Sequence, residues 1–92
     1  MTDFEKKVYK TILNIPLGEV RTYKWVAKQI GRPRAYRAVG QALHKNPFPL
    51  IVPCHRVIQS GGKLGGYALG ARKKKALLDL EKRIKLWLED RK

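Results

Sequence analysis

The chain has 92 residues, enough for one domain with no room for a second core, and its 43% hydrophobic content is ordinary for a folded globule. It carries 21 Lys and Arg against 7 Asp and Glu, a formal net charge of +14; one cysteine excludes an internal disulfide, and Cys54, His44 and His55 are too few and too crowded for a zinc site. No apolar run approaches the ~20 residues of a membrane span, and the start, MTDFEKK, is unlike a signal peptide, so a reducing, cytoplasmic setting is expected.

Thr2-x-x-Glu5 fits a capping box, in which the Thr2 hydroxyl accepts from the third helical amide and Glu5 reaches back to the cap. Phe4, Val8, Ile12 and Ile15 then recur at helical spacing, giving a first helix that Pro16-Leu17-Gly18 ends. Glu19 to Arg21 reads as a short extended link. Thr22 caps a second helix, Tyr23 to Ile30, with Trp25, Val26 and Ile30 on its apolar face and Gly31 as its stop. Pro33 suits a first helical position, and the third helix, about Arg34 to Lys45, turns Ala35, Ala38, Val39, Ala42 and Leu43 inward.

Two short helices joined by a tight glycine turn make a helix-turn-helix, the second helix being the candidate reader of a groove. Asn46-Pro47-Phe48-Pro49 breaks that helix, and Leu50 to Val52 reads as a buried strand end. Arg56 to Gln59 and Lys63 to Tyr67 flank Ser60-Gly61-Gly62 as a hairpin or wing. The glycines lack the Gly-Lys-Ser/Thr ending of a phosphate loop. A final helix from about Ala71 to Glu89 is expected to bury Leu77, Leu80, Ile84 and either Leu88 or Trp87. The fold class is therefore mainly α with a short β-hairpin, a winged helix-turn-helix forming one domain over residues 1–92.

Charge placement matters more than its size. The acids are Asp3, Glu5, Glu19, Asp79, Glu81, Glu89 and Asp90, so Val20 to Leu78 contains none, while thirteen Lys and Arg fall inside it. A solvated surface without a partner is normally interleaved with acids. The segregation points to a polyanion partner, nucleic acid above all.

The single thiol lies in Ile51-Val52-Pro53-Cys54-His55-Arg56-Val57. Thiolate is the reactive form, and an ordinary thiol titrates near pH ~8.5, so a reactive cysteine needs a neighbouring base or positive charge. An isolated cysteine is more often a small buried hydrophobe. Here it stands between a proline and an imidazole, within an acid-free basic stretch. Neighbouring side chains in an extended segment diverge, so a water between Cys54 and His55 fits better than a direct bond.

Pro53-Cys54-His55-Arg56-Val57 resembles the active-site signature of the O6-alkylguanine-DNA alkyltransferases, the methylated-DNA–protein-cysteine methyltransferases. Gly18-Glu19-Val20-Arg21-Thr22-Tyr23 is similar to the segment opening that family's helix-turn-helix, and Arg34-Ala35-Tyr36-Arg37-Ala38-Val39-Gly40 to its recognition helix. Asn46-Pro47-x-Pro49 resembles its hinge, and Gly65-Gly66-Tyr67 and Leu77 to Glu81 its substrate loop and last helix, so the likeness runs through essentially the whole chain.

The resemblance implies roles. Cys54 would take the alkyl group from O6 of guanine as a stable thioether, once per molecule, with His55 as base through a water and Glu81 orienting the imidazole. Tyr23 would donate a proton to the departing base, and Asn46 would tie the helix-turn-helix to the cysteine turn. Arg37 would fill the gap left by a flipped nucleotide, with Arg34, Ala35, Tyr36, Gly40, Gln41 and Thr22 on the DNA. Tyr67, Ala68, Pro49 and the backbone around Val57 would line the substrate pocket.

No cofactor or metal is implied. The implied partner is double-stranded DNA containing O6-alkylguanine, bound by a monomer without a membrane, in the cytoplasm and on the nucleoid in a prokaryote. Two departures stand out: most relatives carry a separate N-terminal domain, whereas this chain begins at the first helix of the catalytic part, and Tyr36 occupies a position where a small residue is usual.

Each residue also has a plainer reading. Tyr23 could half-bury its ring, Arg37 could touch phosphate, Glu81 could pair with Lys85 on a helix surface, and Asn46 before proline is ordinary helix-exit chemistry. At the level of function, a non-enzymatic alkyltransferase-like lesion binder is the alternative, and a plain winged-helix regulator a third. The lesion binders usually replace the cysteine, and a regulator leaves the Cys-His-Tyr-Glu set unexplained.

Overall fold

A computed structural model describes residues 1–48, 51–60 and 70–90. The order of elements is α1 (Asp3–Ile12), β1 (Arg21–Thr22), α2 (Tyr23–Gln29), α3 (Tyr36–His44), a 3-10 turn (Cys54–Arg56), β2 (Val57–Ile58) and α4 (Ala71–Asp90). The molecule is mostly helical with a two-stranded sheet.

The capping box at the start of α1 is formed: Glu5 N donates to Thr2 Oγ1 at 3.1 Å, and Thr2 N to Glu5 Oε1 at 2.9 Å. Val8, Tyr9 and Ile12 face the core from this helix. The helix stops at Ile12, earlier than the hydrophobic spacing predicts. Tight turns from Thr11 to Asn14 and from Ile12 to Ile15 then carry Ile15 into the core without a helix.

Thr22 caps α2 by accepting from Trp25 N at 3.0 Å. Its end is a Schellman motif: Arg32 N donates to Ala27 O and Gly31 N to Lys28 O, with Gly31 at φ 76. A left-handed residue is required there, and glycine adopts it without a side-chain clash. α3 starts two residues later than predicted. Pro33 is not its first residue but the second of a turn closed by Ala35 N to Arg32 O at 2.9 Å, a place its fixed φ also suits. Ala35 precedes α3 without a side-chain cap, since it has no oxygen to offer.

α1, α2 and α3 pack against one another in all three pairings. Val8, Ile12, Ile15, Val26, Ala27, Val39, Ala42 and Leu43 form the centre, joined by Val52, Cys54 and Val57 from the segment that follows. Tyr9 buries its ring there and satisfies its hydroxyl on Ala42 O at 2.7 Å, which locks α1 to α3. Of the predicted strand end at Leu50–Val52, Val52 is buried but Ile51 is 75% exposed, and Leu50 lies outside the described residues.

β1 pairs with β2 in parallel, Arg21 opposite Val57 and Thr22 opposite Ile58. The predicted link at Glu19–Arg21 thus ends in a strand. The second arm of the predicted hairpin, Lys63 to Tyr67, lies outside the described residues. This short sheet brings the start of α2 beside the exit of the cysteine turn.

α4 corrects the sequence reading most. Leu77 is half-buried, but Leu80 is 53% exposed, Ile84 37%, Trp87 55% and Leu88 48%. The residues it buries are Lys74 and Glu81. They are seven apart and share a face, and that face packs on the Cys54–Arg56 turn. Position 80 lies about 100° around the helix from position 81, so polar contacts rather than the leucines set the rotation of α4. Gly18, at φ 81, lets the loop after α1 meet α4: a Cβ there would stand 2.7 Å from Lys85 Cδ.

Candidate functional site

The 3-10 turn is the centre of the site. Pro53 enters it, Arg56 N donates to Pro53 O at 3.0 Å, and Val57 N donates back to Cys54 O. The segment is therefore not extended as the sequence suggests. Its consecutive side chains still diverge: Cys54, 3% exposed, joins the helical core, while His55, 1% exposed, turns to α4.

On α4, Glu81 Oε2 meets His55 Nε2 at 2.7 Å. Arg56, next in sequence, grips the same carboxylate with both branches: Nε donates to Oε1 at 2.9 Å and Nη2 to Oε2 at 2.8 Å. Its remaining Nη1 donates to Ile15 O at 2.8 Å, anchoring the cluster to the loop after α1. Burial pushes the Glu81 carboxyl up, but hydrogen bonds and charge from Arg56 and His55 outweigh it and hold it below the ordinary carboxylate value. An ionised Glu81 keeps the Nε2 proton on His55, so Nδ1 is the basic nitrogen. Glu81 is thus not the surface partner of Lys85, whose ammonium lies 3.9 Å from Glu19 instead.

Asn46, buried just after α3, donates from Nδ2 to Val52 O at 3.0 Å and accepts from Phe48 N at 3.0 Å. It connects the end of α3 to the segment leading into Cys54. Burial pushes the Cys54 thiol up, and Asn46 and the charge of Lys74 offset this in part. The net direction is upward, so the basic surroundings do not by themselves make a resting thiolate; desolvation wins. Tyr23, the first residue of α2, is half-buried, and its hydroxyl is also raised, by burial first and by the Cys54 charge second.

Tyr23 also lines a groove of about 720 Å³ that runs along α3 past Tyr36, Arg37, Gly40 and Gln41 to Gln59. A Cβ at Gly40 would sit 3.9 Å from Tyr23 Cε1, an ordinary contact, so the approach of α3 to Tyr23 does not depend on glycine there. Arg37 and Tyr36 are exposed, with Lys24 Nζ 5.5 Å from the Tyr36 ring centre. Arg34 is exposed in the turn before α3, Ala35 is half-buried, and the Thr22 hydroxyl is committed to capping α2. The Val57 side chain is fully buried in the core, and its carbonyl accepts from Lys74. Pro49, Tyr67 and Ala68 lie outside the described residues.

Two residues of the site were not singled out from the sequence, Arg56 and Lys74. Arg56 adjoins His55 in the signature itself, and Lys74 shares a helical face with Glu81 at a spacing of seven. Both signals were readable.

The model of the 6-O-methylguanine DNA methyltransferase DNA-binding domain matches residues 3–83. The chain belongs to this family. It is 60% identical over 80 residues to the methylated-DNA–protein-cysteine methyltransferase of Methanosarcina barkeri, covering 87% of this chain and 51% of the relative. The Mycobacterium bovis protein of the same name is 57% identical over 81 residues, covering 88% and 49%. The chain therefore spans about half the length of the curated relatives it matches.

Among solved structures, the family member of Mycobacterium tuberculosis crystallised with DNA superposes with a TM-score of 0.88 at 55% identity, covering 90% of this chain and 52% of that one. Schizosaccharomyces pombe Atl1, in complex with damaged DNA containing O6-carboxymethylguanine, superposes with a TM-score of 0.76 at 39% identity, covering 88% and 77%. Both likenesses agree with a helix-turn-helix built from α2 and α3.

Proposed function

We propose that this chain is the catalytic and DNA-binding part of a methylated-DNA–protein-cysteine methyltransferase, carrying an alkyl group from O6 of guanine in double-stranded DNA irreversibly to its own Cys54. The observation that carries this reading is the His55–Glu81 contact of 2.7 Å, clamped by Arg56 directly beside the only thiol. A merely structural cysteine has no use for a buried imidazole held by an ionised acid.

The geometry supports the following chemistry. The resting thiol is protonated, and its proton passes through a water to His55, whose charged form Glu81 stabilises. Cys54 Sγ attacks the alkyl carbon, the carbon–O6 bond breaks, and the electron pair goes to the guanine, which takes a proton from Tyr23. A thioether has no good leaving group, so each molecule reacts once. In the net reaction the thiol proton is exchanged for the alkyl group.

Access to O6 in this geometry requires the nucleotide out of the stack, at a cost of a few kcal/mol that Arg37, exposed on the groove, offsets by filling the gap. Arg34 and the other bases of the acid-free stretch supply phosphate contacts. The protein acts as a monomer in the cytoplasm, where its thiol stays reduced.

Intact mass after incubation with a methylguanine oligonucleotide tests this. One added methyl on Cys54 is expected. Tight binding of the oligonucleotide with no mass change would instead make the chain a lesion-binding protein.

A further inference from the structure

The groove along α3 presents an aromatic side chain that the transfer reaction does not use. Tyr36, the first residue of α3, is 37% exposed and lines the groove beside Arg37. Lys24, in the first turn of α2, places its Nζ over the Tyr36 ring, 5.5 Å from the centre. That lies within the roughly 6 Å over which an ammonium is attracted to an aromatic face. The contact joins the two helices of the helix-turn-helix, so the ring is braced from α2 rather than left to swing. A cation takes one face only, and the exposure of Tyr36 leaves ring surface open to the groove.

A single exposed tyrosine is ordinary on a protein surface. The setting of this one is not. The groove has a volume of about 720 Å³, within the roughly 300–1,000 Å³ of sites that hold a small flat ligand. Lys24, Arg37 and Lys45 line it, and no carboxylate does among the described residues. Proteins that bind unpaired nucleic-acid strands use this pairing of parts: basic groups that track the backbone, and aromatic faces on which bases stack whatever their sequence. A duplex keeps its bases stacked on one another, whereas an unpaired base has a face to offer the ring.

We propose, building on the reading of this face as the DNA-binding one, that Tyr36 is a stacking residue for an unpaired base, held by Lys24, and that the groove therefore takes single-stranded DNA as well as duplex. Arg37 and Tyr36 then divide the work on α3. The guanidinium fills the gap in a duplex, and the phenol ring holds a base that has no partner strand. Lys24 serves twice, bracing the ring and giving its remaining N–H groups to the strand's phosphates.

Affinity for undamaged oligonucleotides tests the site without any transfer step. Tyr36→Ala should weaken binding of a single strand roughly tenfold, and of the matching duplex by no more than about twofold. Tyr36→Phe, which keeps the ring and loses the hydroxyl, should bind both as wild type does. The ring carries no charge, so the slope of log affinity against log salt should be the same for wild type and Tyr36→Ala on the single strand. Equal losses on single strand and duplex, a loss in Tyr36→Phe as large as in Tyr36→Ala, or a shallower salt slope in Tyr36→Ala would each overturn the proposal.

A second measurement uses wild type alone, and so stands whether or not the variants fold. A single strand carrying 5-iodouracil is irradiated in the complex, and the cross-linked peptide is mapped by mass spectrometry. A cross-link to Tyr36 is expected; cross-links to other residues only overturn the stacking role. If Tyr36 behaves as proposed while the methylguanine oligonucleotide leaves Cys54 unmodified, the alkyl-transfer reading fails and the stacking site stands. If Cys54 is methylated while Tyr36→Ala loses nothing on the single strand, the reverse holds.

Discussion

Arg56 holds both oxygens of Glu81, at 2.9 and 2.8 Å, while Glu81 holds His55 at 2.7 Å. Two consecutive residues of the cysteine turn thus converge on one carboxylate from a helix 25 residues further on. The arrangement fixes the imidazole and attaches the turn to α4 at the same point. Since Arg56 also reaches Ile15 O, the cluster joins three separate parts of the chain.

Arg56→Met should therefore weaken the whole fold as well as the site. Removing one partner of a buried ion pair leaves the other uncompensated, typically at a cost of about 3 kcal/mol. Urea denaturation should show the midpoint moving down with little change in slope. A midpoint equal to wild type would mean that the clamp contributes nothing to stability.

The acid side of the stability curve should report Glu81. Its folded carboxyl lies below the ordinary value, so it contributes stability that is present above the unfolded pKa and lost as pH falls through the folded one. Glu5 and Glu19 are lowered too, but they are common to wild type and Glu81→Gln. Between about pH 5 and about pH 3, the Tm of wild type should drop more steeply than that of Glu81→Gln. Parallel curves would show that Glu81 is no more acidic folded than unfolded.

Cys54→Ser should lose transfer completely and keep lesion binding, because an alcohol is far less acidic than the thiol it replaces. Glu81→Gln should slow single-turnover transfer by roughly tenfold to a hundredfold, with duplex affinity unchanged, since an amide cannot stabilise imidazolium. Transfer by Glu81→Gln at the wild-type rate across the pH range would remove the relay from the mechanism.

Arg37 faces the open groove from α3. Arg37→Ala should weaken binding of lesion-containing duplex by roughly tenfold and of undamaged duplex by no more than about threefold. Equal losses on both would reduce Arg37 to a phosphate contact. Affinity of the wild type for undamaged duplex should fall steeply as salt rises, given a net charge of +14 with no acid between Val20 and Leu78.

Local chemistry explains which elements the sequence alone determined. The Thr2–Glu5 capping box, the Thr22 cap and the Gly31 stop are interactions between residues a few positions apart, so they are readable without tertiary structure. The same holds for the helix-turn-helix, whose buried faces repeat at helical spacing, and for the contiguous motif around Cys54.

Long-range geometry decided the rest. Hydrophobic spacing on α4 predicted burial of Leu80 and Ile84, yet the helix is rotated to bring Lys74 and Glu81 inward. Two polar side chains with specific buried partners outweigh a stripe of leucines that has no described surface to cover, because each such partner loss costs more than an exposed methyl group. The parallel pairing of Arg21–Thr22 with Val57–Ile58 was likewise invisible, since strands of two residues carry no period to read. Even the state of the thiol depended on the fold: a basic sequence favours thiolate, but burial in the core raises Cys54 more than Asn46 and the nearby charge lower it.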